Sequence, residues 1–350
     1  MRWVSKGSTV AVGLSGVVAS LALGSPAAAD PSPLPVGVIS NYGESETARS
    51  AAMGGALRAL GSGTPSIFLN PAAMAETPAY HLEGLTDYTF ETRRWMLGAA
   101  VVDSVTSRLA GSFSIQGTPI AMDPDGINRS QLDLRLGIAY PITDKFILGV
   151  SGRYFKVTQS GLAGPSYGFG PSVASGGLYD PTSGTPPTSR EPLVNTFTFD
   201  VGLVAKPSDA LYIGLVGQNL TYANNGFLPL LVGGGFGYGA EGFSIEADGL
   251  ADLSSWSLPG ALKPTARVMG GAEYLISGVV PVRAGYRYDQ GAKLSTVSVG
   301  SGYVGTSFAV EAAVKRTVSS PGATTLFLTV AYYLESSGLT HPTPTAEVAQ

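Results

Sequence analysis

Few residues in this chain could carry reaction chemistry, and their spacing does not suit it. The 350-residue sequence contains no cysteine, which excludes disulfides, thiolate metal sites and cysteine nucleophiles. Its two histidines, His81 and His341, are too few for a histidine-rich metal centre. A hydrolytic triad through His81 would need a serine and an acid in defined geometry. At the start of an amphipathic strand, His81 reads instead as a hydrogen-bonding residue of the strand end. Asp123-Pro124-Asp125-Gly126 has the composition of a turn and lacks the further ligands and terminal Glu of a calcium loop. Gly233 to Gly239, GGGFGYG, has no βαβ context and is not a dinucleotide fingerprint. Glu246 and Asp248 fall on one strand face and could pair an acid with a base, but among other charges that spacing equally serves ion pairing. No enzyme, metal or cofactor reading survives.

The chemistry that remains is ionic, and alternation organises it. Taking positions flanked on both sides by apolar residues, one face collects Glu83, Asp87, Asp133, Asp200, Glu246, Asp248, Glu273 and Glu311. It also collects Arg94, Arg108, Arg135, Arg153, Arg267, Arg283, Arg287 and Lys315. Acids and bases are equal in number. A wide ion-selective pore carries an excess of one sign, whereas a balanced interior suits ion-paired packing against a plug.

The elements that would place these charges are strands. Fourteen are expected, over 79–90, 93–102, 107–116, 130–140, 145–158, 194–205, 210–221, 229–238, 242–252, 264–275, 279–288, 293–302, 306–316 and 324–334. Most have the length at which a tilted strand crosses a bilayer. Alternation is clearest in Leu132-Asp133-Leu134-Arg135-Leu136-Gly137-Ile138 and in Phe308 to Lys315. Turns after even strands are short, such as Asp103 to Thr106 and Ser277-Gly278, while the long connections, Gly117 to Arg129 and Gln159 to Leu193, follow odd strands. Outer-membrane barrels have short periplasmic turns and longer external loops, so this parity puts both ends of the wall in the periplasm. Tyrosines such as Tyr80, Tyr88, Tyr140, Tyr286 and Tyr332 fall near strand ends, where headgroups satisfy ring and hydroxyl together.

Composition agrees. Only 13% of residues are charged, Gly and Pro number 47 and 24, and no segment after the amino terminus is apolar enough for a helical span. The mean hydropathy of +0.20 is therefore spread by alternation. A net charge of -4 argues against a nucleic-acid partner. Arg2 and Lys6, the apolar run Thr9 to Gly24 and Ala27-Ala28-Ala29 form a secretory signal peptide over 1–29. Residues 30–78 read as a plug, 79–334 as the barrel and 335–350 as a disordered periplasmic tail.

Within the plug, Ala48 to Ala75 reads ARSAAMGGALRALGSGTPSIFLNPAAMA. Helix formers through Leu60, ended by Gly61 and Gly63, predict one short helix. Asn70 as a cap with Pro71 at the first helical position predicts a second. Gly54-Gly55-Ala56 followed by Asn70-Pro71-Ala72, behind a signal peptide and ahead of strands, resembles the amino-terminal region of FadL-type outer-membrane proteins and their PorV-like relatives. The family usually has Gly at the position of Ala73. The resemblance implies an all-β fold: a transmembrane outer-membrane β-barrel of about 14 antiparallel strands, with a short helical hatch inside its lumen.

The same resemblance implies passive uptake of hydrophobic, long-chain fatty acid-like molecules, with outer-membrane lipid around the wall. The molecule would meet an apolar pocket against the hatch, lined by Met53, Leu57, Leu60, Phe68 and Leu69, and leave sideways at the third strand, where Gly111 would permit a bend. Gly54, Gly55, Asn70 and Pro71 would shape the hatch. The lumen network would comprise Glu83, Asp133, Arg135, Asp200, Glu246, Arg267, Glu273, Arg283, Arg287, Glu311 and Lys315. Two other readings stand beside uptake. A PorV-like secretion component would hold an envelope protein partner and need no lipid ligand, and a structural or adhesin barrel would act through its external loops alone.

Overall fold

A barrel wall can bury a half-apolar strand only if its outer face meets lipid and its last strand meets its first. In the computed structural model, which describes residues 44–78, 80–120, 128–160, 192–221, 228–254, 263–319 and 322–334, the outer face is apolar and the last strand meets the first. Among the described residues there are fourteen strands: β1 (Tyr80–Thr89), β2 (Arg94–Asp103), β3 (Ala110–Ile120), β4 (Asn128–Thr143), β5 (Phe146–Ser160), β6 (Pro192–Ala205) and β7 (Leu211–Gln218), followed by β8 (Leu231–Ala240), β9 (Phe243–Asp252), β10 (Thr265–Ile276), β11 (Val280–Asp289), β12 (Leu294–Val304), β13 (Phe308–Thr317) and β14 (Thr324–Tyr333). Each is antiparallel to its sequence neighbours, and β1 closes on β14 from His81↔Tyr333 to Thr89↔Thr325. Closure leaves no unpaired edge, which a bilayer would penalise. The signal peptide over 1–29, the tail over 335–350 and most of the Gln159 to Leu193 loop lie outside the described residues.

Period two sets the two faces. In β14, Leu326, Leu328, Val330 and Tyr332 are 40–55% exposed outward, while Thr325, Phe327 and Thr329 are at most 3% exposed inward. The wall is taller at β4 to β6 than the apolar pattern predicts. Near its long-loop end Ser130 bonds Thr158 at 2.6 Å and Tyr154 donates to Asn195 at 2.8 Å, and the residues added there, Asn128, Arg129, Gln159 and Ser160 among them, do not alternate in polarity. Conversely β7 ends early, at Gln218, because Asn219 adopts a left-handed φ of 56° and turns its N–H to the Asp200 carboxylate, 2.7 Å away. β6 and β7 accordingly pair only from Val201↔Gly217 to Ala205↔Ile213.

The hatch comprises α1 (Ala48–Ala52), α2 (Thr64–Leu69) and a 3-10 helix, Pro71–Ala75. The first helix does not continue to Leu60 as its composition predicts. Gly54 and Gly55 take φ of 68° and 81°, which ends it after Ala52 despite the alanines that follow. The hatch lies in the short-turn half of the barrel, its backbone against the wall. A Cβ built at Gly285 would stand 2.1 Å from the Gly54 nitrogen, and one at Gly149 would stand 2.4 Å from the Ala72 nitrogen. Only glycine allows such an approach.

Gly149→Val is therefore expected to destabilise the barrel by about 1–3 kcal/mol through overpacking against the 3-10 helix. Gly249→Ala, where an added Cβ meets nothing within 4 Å, should stay within about 0.5 kcal/mol of the parent. Denaturant unfolding in detergent, followed by heat-modifiable gel mobility, compares them; equal stabilities would mean that the hatch does not press on this wall.

Candidate functional site

The site is the contact between hatch and inner wall. Thr47 and Ser50 form a reciprocal cap on α1, which needs one because a five-residue helix has no internal partners to spare. Between the helices the chain is held by β9. Glu246 accepts from the Ala59 and Leu60 amides at 2.5 and 2.8 Å, and Asp248 pairs with Arg58 at 2.9 Å. With the Arg58 amide also donating to Asp248, at 3.3 Å, the two carboxylates bind one cation and three backbone donors. Asn70 then ties three segments together: its Oδ1 accepts from Ala72 at 3.1 Å, and its Nδ2 donates to the carbonyls of Arg58 at 2.6 Å and Leu203 at 3.3 Å. Pro71 follows as the first residue of the 3-10 helix, as the motif predicts.

The carbonyls at the end of α2 are taken by the wall. Gln218 donates to the Phe68 carbonyl at 2.9 Å, and Arg135 reaches those of Ile67 and Phe68 at 3.4 Å while its guanidinium lies over the Phe68 ring. Arg135 and Arg153 share Asp133, at 3.1 and 2.7 Å, with Asp200 3.8 Å from Arg135. Across the lumen, Arg283 bridges Glu273 and Glu311, and Arg49 of the hatch reaches Glu273 at 3.3 Å. Arg287 pairs with Glu44 at 2.5 Å, Lys315 with Glu46, and Arg267 with Asp252 and Asp289. Burial alone would raise the Glu44 carboxyl, but Arg287, Lys315 and Arg267 outweigh it and hold that carboxyl well below the ordinary range.

Glu83 lies inward on β1, 3.8 Å from His81, whose Nε2 bonds Thr64 of the hatch at 2.8 Å. Arg108 does not belong to the interior: it is exposed in the turn before β3, its guanidinium over Tyr140, because the strand starts only at Ala110. The hatch charges Glu44, Glu46, Arg49 and Arg58 lie outside the strands to which alternation was applied, and Asp289 has Gln290 beside it; Asp252, between Ala251 and Leu253 at the end of its strand, meets the alternation test and was passed over. A charged residue in an otherwise small-residue plug segment is the signal that would have found the first four.

Met53, Leu57, Phe68 and Leu69 are all less than a tenth exposed and form one apolar cluster with Ala100, Val102, Ile147 and Val204 of the wall, with Leu60 packed on its side. They fill the seam between hatch and wall. Gly111 is paired on both sides, to Asp103 and Ile138, and the ladder is unbroken there; the irregularity of β3 falls between Gly117 and Ile120, where β4 no longer pairs with it.

No family model and no curated protein sequence matches this chain. Solved structures do. The Ralstonia pickettii toluene transporter TbuX matches with a TM-score of 0.55 at 16% identity, over 84% of this chain and 98% of that one. The P. putida toluene transporter TodX gives 0.57 at 14%, over 84% and 99%. A Pseudomonas aeruginosa FadL homologue gives 0.56 at 13%, over 82% and 98%. At these identities the likeness is one of fold, a fourteen-strand barrel with an amino-terminal hatch.

Arg58→Met leaves Asp248 and Glu246 buried without their cation and should cost about 3–5 kcal/mol. Adding Asp248→Asn to it should recover part of the loss. Unfolding in detergent micelles measures both, and an Arg58→Met protein as stable as the parent would show that the pair does not hold the hatch.

Proposed function

We propose that this chain is an outer-membrane channel through which hydrophobic small molecules, of the kind represented by long-chain fatty acids and monoaromatic hydrocarbons, pass without energy input. The observation that carries the reading is the seated hatch. Its backbone is bonded to β9 and β7 and pressed on inward glycines, and its Asn70 side chain is bonded to β6, so a straight aqueous path through the short-turn half would require dismantling a built interface. A molecule soluble in lipid has another way out, through the wall. The fold shared with structures named as toluene transporters and a FadL homologue supports the same substrate class. We place the short-turn end in the periplasm, following loop length. The molecule would meet Met53, Leu57, Leu60, Phe68 and Leu69 only along the seam they fill, and would leave at β3, whose pairing with β4 ends at Gly117↔Leu132 while the strand runs on to Ile120.

Expression in the outer membrane of a Gram-negative host lacking such channels should raise uptake of radiolabelled toluene or oleate severalfold, without raising that of a hydrophilic sugar. Sugar uptake would sink the reading in favour of an open pore. A co-purifying envelope protein with no gain in hydrophobic uptake would move it to a secretion component. With the exit beyond Gly117, Gly111→Val, in an unbroken part of the ladder with room for a side chain, should leave uptake within about twofold of the parent; a large loss would return the exit to Gly111.

A further inference from the structure

One joint in the wall is shorter than the rest. Among the described residues β6 and β7 share five residue pairs, Val201↔Gly217 to Ala205↔Ile213, whereas every other two neighbouring strands share eight or more. The ladder stops because Asn219, in the left-handed region, turns the chain out of register directly after Gln218. Leu220 then donates its amide to the Phe199 carbonyl at 3.0 Å, and Thr221 its hydroxyl to the Phe197 carbonyl at 3.1 Å. Beyond Val201, β6 is laddered to β5 alone. Phe197 and Phe199 are 60% and 38% exposed on the outer face there, so this strand edge stands where the wall still presents aromatic rings outward. Such edges are rare at membrane depth, because lipid offers them no hydrogen-bond partner.

The same ladder is apolar on both faces. Its ten residues are all Val, Leu, Ile, Ala or Gly; Val201 and Leu215 face lipid, while Gly202, Val204, Gly214 and Val216 face the lumen. A molecule crossing between β10 and β11 would meet the Glu273↔Arg283 pair, and one crossing between β12 and β13 would meet Lys315 opposite Ser298. Between β6 and β7 it meets no charge, and the charged groups begin above the ladder, at Asp200. Directly behind the ladder runs the apolar seam of the hatch: Val204 belongs to the cluster of Phe68 and Leu69, and Tyr212 of β7 packs on its side. Two strands part locally at a cost set by the main-chain bonds between them, so the joint with the fewest pairs opens first.

We infer that the joint between β6 and β7 is a second lateral opening of the wall, through which an apolar molecule lying along the hatch seam passes into the bilayer. The inference rests on the uptake reading and adds a route to the one at β3. Because the chain has no cysteine, a cysteine pair can staple the joint without competing thiols. Val201→Cys/Gly217→Cys puts two thiols on directly opposed positions at the free end of the ladder. Val299→Cys/Val314→Cys does the same on the outer face of β12 and β13, as a control. Initial uptake of radiolabelled toluene and oleate by the expressing cells is measured before and after dithiothreitol, with disulfide formation followed by maleimide labelling. The oxidised staple between β6 and β7 should lower the rate at least about threefold and reduction should restore it, while the control stays within about 1.5-fold in both states. If Gly217→Cys prevents folding, Leu203→Cys/Leu215→Cys, in the middle of the same ladder, makes the same test. Uptake by the oxidised staple at its reduced rate, or an equal loss in the control, overturns the opening and leaves the uptake reading and the β3 route intact. No uptake of either compound by the parent overturns the uptake reading itself, and the opening with it.

Discussion

Everything in this barrel depends on the close approach of the hatch backbone to the inner wall. A closed ring of fourteen strands leaves an inward face that must be filled or hydrated. Here half of it is filled by a segment with little regular structure of its own. Two helices of five and six residues cannot satisfy their own peptide groups, so the wall does so. Glu246 takes amides between them, Gln218 and Arg135 reach the carbonyls of α2, and Asn70 joins the two halves of the hatch to β6. Glycines at the contact are what let these bonds reach their length.

The charged groups follow from that arrangement. An arginine inside a barrel in a bilayer must be paired, and Arg135, Arg267 and Arg283 each meet at least two carboxylates. Arg49, Arg58, Glu44 and Glu46 each cross from hatch to wall, so the plug is attached by ions as well as by packing. On the proposed function, a plug attached at so many points in the short-turn half is compatible with passage, because an apolar molecule can leave through the wall; it would defeat a porin.

Much of this was legible in the sequence, and the failures have physical causes. The strand count and the Asn70-Pro71 cap follow from period-two alternation and from local capping chemistry, both of which are written in neighbouring residues, while the hatch in the lumen followed from the resemblance carried by Gly54-Gly55-Ala56 and Asn70-Pro71-Ala72. The height of β4 to β6 was underestimated because the residues added at their ends, such as Asn128, Arg129, Gln159 and Ser160, carry no apolar alternation. The first helix was overextended because alanines count as helix formers whether or not two glycines before them have already turned the chain. Arg108 was misassigned because a strand boundary moved by three residues takes a side chain from wall to turn.

What the sequence determined by itself is the class of object: alternation with little charge calls for amphipathic strands, and an even set of them puts both chain ends on one side, while closure is decided by the pairing of β1 with β14. What only the tertiary structure decided is who meets whom inside. Period two says that Glu246, Asp248, Arg135 and Ser112 point inward, but which of them meets a hatch amide, which meets an arginine and which is left without a partner depends on strand stagger and on where the hatch lies. Those are long-range distances, and no local pattern of residues encodes them.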